Sequence, residues 1–246
     1  MARRPGPSAV VLVGMLAAAG AGVPAPAGAS ADPMLGAPVV GQCHDLGADE
    51  LAAASYDEAP VDCTTTHTAT TIAVAQLPDG LDFSGRGLER FALETCFAAQ
   101  RRALGTTQRA VRLTAYDVGW FVPTADQQAA GARWVRCDLV LGDARDLQPL
   151  PSDVRVGTRK PDPSVARCLG GRDAHVTTCA QPHTFRATSA LRLDTTRYPG
   201  GKARNRIGAD RCRRAVSTLS YRFGWPARAA WRAGDRTLVC YSRTST

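Results

Sequence analysis

Residues 179–183 read Cys-Ala-Gln-Pro-His, and residues 63–67 read Cys-Thr-Thr-Thr-His. From Cys179 to the next cysteine, Cys212, is 33 residues, and from Cys63 to Cys96 is 33 again. Farther along, Pro123, Gly131 and Cys137 keep the relative spacing of Pro226, Gly234 and Cys240. So many equal intervals read as an internal duplication. The eight cysteines divide four and four: Cys43, Cys63, Cys96 and Cys137, then Cys168, Cys179, Cys212 and Cys240. The expected modules are residues 38–142 and 165–241. Between them, residues 143–164 carry Pro149, Pro151, Pro161 and Pro163, which resist helix and sheet and mark a linker.

Each half predicts the same elements. Thr184 to Leu193 alternates, with Phe185, Ala187, Ser189, Leu191 and Leu193 on one face, as a half-buried strand does. Thr68 to Leu77 keeps that phase with Ala69, Thr71, Ala73, Ala75 and Leu77. Ser84 is placed to cap a helix running to Leu104, and Gly105 to close it. On that helix Ala92, Cys96, Ala99 and Ala103 share a face, and in the second half Gly208, Cys212, Ala215 and Leu219 do the same. Val111 to Tyr116, Trp134 to Leu141 and Thr237 to Tyr241 predict further strands. The fold class is α+β: two tandem small disulfide-bonded modules, each an antiparallel sheet with one main helix.

Arg3 and Arg4, an apolar run from Ala9 to Val23 and small residues ending at Ala31 predict a secretory signal peptide over residues 1–31. The apolar run is too short for a permanent span, so no transmembrane segment is expected after cleavage. An even cysteine count in an exported chain reads as a disulfide framework. Requiring one pattern in both halves leaves three pairings. Cys43–Cys63, Cys96–Cys137, Cys168–Cys179 and Cys212–Cys240 is favoured, the second bond of each half tying its helix to its last strand. Zinc is the competing use of the repeated Cys-x-x-x-His, with His44 and His175 near the first and second cysteines of their halves. Against it stand the oxidising compartment, the non-matching positions of those two histidines and the lack of a close Cys-x-x-Cys pair. No metal is expected.

Cys179-Ala-Gln-Pro-His183, the helix bearing Cys212, Trp225-Pro226, Trp231-x-x-Gly234-Asp235-Arg236 and Leu238-Val239-Cys240 together resemble the actinobacterial septum-formation domain. The first half resembles it more loosely, with Gln128 in place of Trp231 and Gly131-Ala132-Arg133 in place of Gly234-Asp235-Arg236. Three residues after the histidine the family carries an acid, where this chain has Thr70 and Arg186. The resemblance implies the cell envelope or division septum of a high-GC Gram-positive bacterium and supplies no chemistry. Arginine makes up 28 of the 30 basic residues, in keeping with such a source.

Motifs for a serine nucleophile, a zinc protease, a phosphate loop or a calcium loop are lacking, so no cofactor and no enzymatic activity are expected. His67 and His183, the motif histidines, are expected to hydrogen-bond backbone carbonyls. A secreted hydrolase or zinc protein using either of them is the alternative. Charge divides unevenly: residues 32–151 hold nine Arg against sixteen Asp and Glu, and residues 152–246 hold nineteen Lys and Arg against six Asp. Such an excess over a whole module goes beyond what solubility needs. The candidate polyanion-binding residues are Arg204, Arg206, Arg211, Arg213 and Arg214. The partners they fit are an anionic cell-wall polymer or an envelope protein, not nucleic acid. A second outcome is that the acidic half docks on the basic one. Nothing in the sequence sets an oligomeric state.

Overall fold

The computed structural model describes residues 32–157 and 160–244. The expected signal peptide lies outside the described residues. The remainder is a mixed α and β structure with two antiparallel sheets and four disulfides. The first sheet is built from β1 (Cys43–His44), β2 (Ala69–Gln76), β3 (Tyr116–Phe121) and β4 (Trp134–Leu141), in the order β1-β2-β4-β3. The second uses β5 (Arg167–Gly170), β6 (His175–Thr178), β7 (Phe185–Arg192), β8 (Tyr221–Gly224) and β9 (Thr237–Arg243), in the order β6-β5-β7-β9-β8. The long helix α2 (Gly85–Leu104) packs on the first sheet, and α5 (Gly201–Ala215) on the second. Short helices α1 (Ala48–Ala52), α3 (Gln108–Val111), α4 (Ala125–Ala129) and α6 (Arg228–Arg232) fill the connections.

The strict alternation expected of both central strands is broken once in each. Pairing of β2 with β4 shifts between Thr71 and Ala73, and pairing of β7 with β9 shifts between Ala187 and Ser189. One extra residue on a strand exchanges its two faces from that point on. Ala187 therefore packs with Val239 and Tyr241 on the outer face, while Leu191 and Leu193 pack with Cys212 and Leu238 beneath α5. Likewise Ala69 and Thr71 sit opposite Val140 and Asp138, whereas Ala73 and Ala75 sit opposite Cys137 and Val135.

Helix α2 follows its predicted bounds, and Gly105 closes it at φ 62°, the left-handed region that glycine enters without strain. Ser84 stands at the cap position but its hydroxyl makes no capping bond. Ala92, Cys96 and Ala99 are buried as expected. Helix α5 ends earlier than the pattern predicts, at Ala215, so Leu219 lies past it and is 94% exposed. Of the predicted strand Val111 to Tyr116, Val111 ends α3, residues 112–115 turn, with Thr114 making an isolated bridge to Ala166, and only Tyr116 is in a strand, as the first residue of β3. The Thr107 hydroxyl accepts from the Ala110 amide, and the Thr114 hydroxyl donates to the Val111 carbonyl. Val111, Ala115 and Tyr116 are still buried, in one cluster with Leu104, so the apolar run reaches the core without being extended throughout.

The proline-bearing segment does not hang free. Leu150 is buried, Val154, Val156 and Val165 pack on the cluster around Leu104 and Tyr116, and the Leu150 amide donates to the His67 carbonyl. Beyond it the Ala115 amide donates to the Val165 carbonyl and the Arg167 amide to that of Leu113, so the two sheets lie within one compact unit.

Candidate functional site

The four disulfides are Cys43–Cys63, Cys96–Cys137, Cys168–Cys179 and Cys212–Cys240, the favoured pairing. Cys96, Cys137, Cys212 and Cys240 are fully buried, tying each long helix to its sheet. Among the described residues, Cys168, Cys179 and His183 form a group that could offer three metal ligands. Two of the three are joined in a disulfide, and disulfide sulfurs are not the thiolates that zinc binds.

The motif histidines share one geometry. The Nδ1–H of His67 donates to the Thr65 carbonyl at 2.8 Å, and that of His183 to the Gln181 carbonyl at 2.8 Å. Each ring thus pins the turn that leads from a disulfide into a central strand. His67 is buried and its backbone carbonyl accepts from the Leu150 amide, while His183 is partly exposed.

The five arginines singled out on α5 have unequal settings. Arg206, Arg211, Arg213 and Arg214 are exposed. Arg206 and Arg213, with Lys202, line one stripe at helical spacing. Arg214 is engaged by Asp210 one turn earlier. Arg204 differs: its guanidinium stacks on the Tyr198 ring at 4.9 Å and donates to the Tyr198 hydroxyl at 2.6 Å. It therefore props the loop before α5 rather than facing outward.

The acidic half does not cover this stripe. The ion pairs that cross between the halves lie elsewhere, and the buried one runs against the net charges. Arg112, from the acidic half, pairs at 2.5 Å with Asp235 of the basic half, whose side chain is fully buried. Asp235 also accepts from the Thr237 amide, so the acid of Gly234-Asp235-Arg236 both shapes its own turn and holds the other half. Arg145 with Asp173 repeats the reversed polarity at the surface, while Arg232 with Glu89 follows the net charges.

A buried polar cluster in the first half was missed by sequence reasoning. Arg136 and Asp138 stand two apart on β4, both at most 1% exposed, with Nη2 to Oδ2 at 2.5 Å. The Thr71 hydroxyl donates to Asp138 at 2.9 Å, and His44 lies beside it, its Nε2 at 3.5 Å from the Thr71 oxygen. The Arg136 guanidinium sits 5.3 Å from both the Tyr56 and Phe121 ring centres. Burial, and next the Arg136 charge, hold His44 below the ordinary histidine range, with Asp138 opposing. Burial, aided by Glu58 and Glu50, pushes the Tyr56 phenol up to about 12. The signal was a pair of opposite charges at i and i+2 inside an otherwise apolar strand, the spacing that puts both on one face. The arrangement holds an ion pair away from water.

A family model described as septum formation matches residues 40–222, well over half of the chain. The chain belongs to the septum formation family. The match begins before β1 and ends within β8, so it takes in the first sheet and much of the second but not β9. No curated protein and no solved structure matches it. The four disulfides fit an extracellular or envelope protein. Among the described residues no helix is long and apolar enough to cross a membrane.

Proposed function

We propose that the protein is an exported, non-enzymatic component of the cell envelope, associated with the septum or wall, that binds an anionic envelope polymer through its basic half. We read its two sheets as diverged copies of one module, residues 38–142 and 165–241. Support for the duplication comes from the shared strand order, the shared disulfide pairing and a register break at the same place in both central strands. Family membership supports the envelope setting. The observation that carries the binding role is the exposed stripe of Lys202, Arg206 and Arg213, which no acid of the first half covers. A wall glycopolymer or acidic lipid supplies the matching charge outside a cell; a protein with an acidic face is the other partner this surface fits.

The alternative, a hydrolase or zinc protein built on His67 or His183, has less to support it. Both rings spend Nδ1–H on a backbone carbonyl, and the cysteines beside them are oxidised.

The test is retention of the full mature chain on an immobilised anionic wall polymer across a salt gradient. Arg206, Arg213 and Arg214 changed together to Gln should elute at clearly lower salt with an unchanged fold, because exposed charges act within a screening length of about 8 Å. Arg214, already held by Asp210, should contribute least of the three. Equal elution of variant and wild type would remove the binding role.

A further inference from the structure

The outer face of the second sheet is apolar, formed by Leu169, Ala187, Val239 and Tyr241. Part of it lies under the first half, and the rest is the floor of an open cleft of about 510 Å³. Phe97 of α2 and Val118 of β3 form the opposite wall, and Trp225 with α6 closes one end. That volume falls in the range of about 300–1,000 Å³ typical of small-molecule sites.

The charges around the cleft do not balance. Three arginines line it, Arg112, Arg167 and Arg222, and Asp117 is the acid among the lining residues. Arg112 is committed to Asp235 at 2.5 Å and lies 3.9 Å from Asp117. Arg222 is exposed, its guanidinium 5.0 Å over the Phe185 ring. Arg167 is the informative one: it is only 7% exposed and its Nε donates to the Thr114 carbonyl at 2.9 Å. Its buried Nη2 has no acceptor, and neither has the buried Nε1 of Trp225. Buried donors are ordinarily satisfied, and a buried cation ordinarily has an anion. Arg167 and Trp225 both line one apolar cleft, with these unpaired donors buried just behind its surface, and together they point to an acceptor that arrives from outside.

We propose that this cleft binds a small amphiphile with an anionic head, a carboxylate or a phosphate. Its apolar body lies on Leu169, Val239 and Tyr241, and its head is taken by Arg167 with Trp225 and Arg222 nearby. This site is separate from the basic stripe of α5 and needs no polymer.

Calorimetric titration of the full mature chain with decanoate, decyl phosphate and decanol tests it, with tryptophan fluorescence as a second readout because Trp225 lines the cleft. One or both anions should bind and perturb the fluorescence, and which one binds identifies the head. The alcohol should bind at least about tenfold more weakly, the usual worth of a hydrogen bond to a charged group. Arg167→Gln should bring the anion down to the level of the alcohol. Ala229→Trp, which fills the cleft and leaves Arg167 intact, should abolish binding of all three, so the result stands even if Arg167→Gln does not fold. Arg206, Arg213 and Arg214 changed to Gln should leave anion binding unaltered, which separates this site from the polymer role. Equal affinity for acid and alcohol, binding that survives Ala229→Trp, or no binding by a correctly folded chain would overturn the proposal.

Discussion

The outer faces of the two sheets share the order of four strands and differ in chemistry. Where β4 carries Arg136 and Asp138, β9 carries Val239 and Tyr241 at the matching register, opposite β2 and β7. Where β1 supplies His44, β5 supplies Leu169. The difference follows from the first disulfide of each half. Cys43 and Cys63 are 20 residues apart, room enough for α1 and Tyr56 to roof the first sheet with a chain of their own. Cys168 and Cys179 are 11 apart, which leaves only the β5–β6 hairpin and no roof. A roofed face can hold an ion pair away from water. A face without a roof needs a partner, and here the first half provides part of one and leaves the cleft.

The comparison is broken most severely at its charged side. Asp138→Ala strands the Arg136 cation in a dry site and should cost about 3–5 kcal/mol by denaturant titration. Replacing both, Arg136→Met with Asp138→Leu, should come near to neutral, since this makes the first face like the second. If the single and double replacements cost the same, the cluster is not the isolated pair described here. Next in size, removing Cys96–Cys137 or Cys212–Cys240 as paired Ala variants should cost about 2–4 kcal/mol each. Peptide mapping without reduction should find all four bonds within their own halves.

A third test uses protons. His44 is held below its ordinary value, so its neutral form is favoured by folding. The stability it contributes is present above about pH 6.5, the unfolded value, and is lost as pH falls below that toward the folded value. In the opposite direction Tyr56 is raised from 10.0 to about 12, so the neutral phenol is favoured, and its contribution is lost as pH rises from about 10 to about 12. Denaturant titrations at several pH values should show both slopes. His44→Leu, which imports the residue of the second half, should flatten the acid one. The smallest effect is expected of His183→Gln, about 1 kcal/mol or less, with polymer retention unchanged. A loss of function without loss of stability would return attention to the histidine.

Much of this fold was legible because cysteines and helices leave strong marks. Equal spacings narrowed the cysteine pairings to three, of which the favoured one is observed, and Gly105 gave the end of α2. What stayed hidden turns on single residues or on distant ones. The bulges between Thr71 and Ala73 and between Ala187 and Ser189 add one residue with no change in composition, so the alternation reads on unbroken across them. Val111 to Tyr116 is apolar enough for a strand, and only the threonines at 107 and 114 hint at the turn. The net charges of the halves suggested docking of acid on base, but buried docking depends on individual partners, and Arg112 finds Asp235 against the trend. The cleft joins residues from α2 to β9, a juxtaposition no local pattern records.

The order of the disulfides along the chain has a consequence for biogenesis. The cysteines are bonded in consecutive pairs along the chain, first to second, third to fourth, and so on to the end. A polypeptide that enters an oxidising space N-terminus first meets its thiols in that same order. Each bond can then close before the next thiol has arrived, with no loop threaded through another and no earlier bond to undo. Such an order suits a chain that matures by oxidation as it emerges.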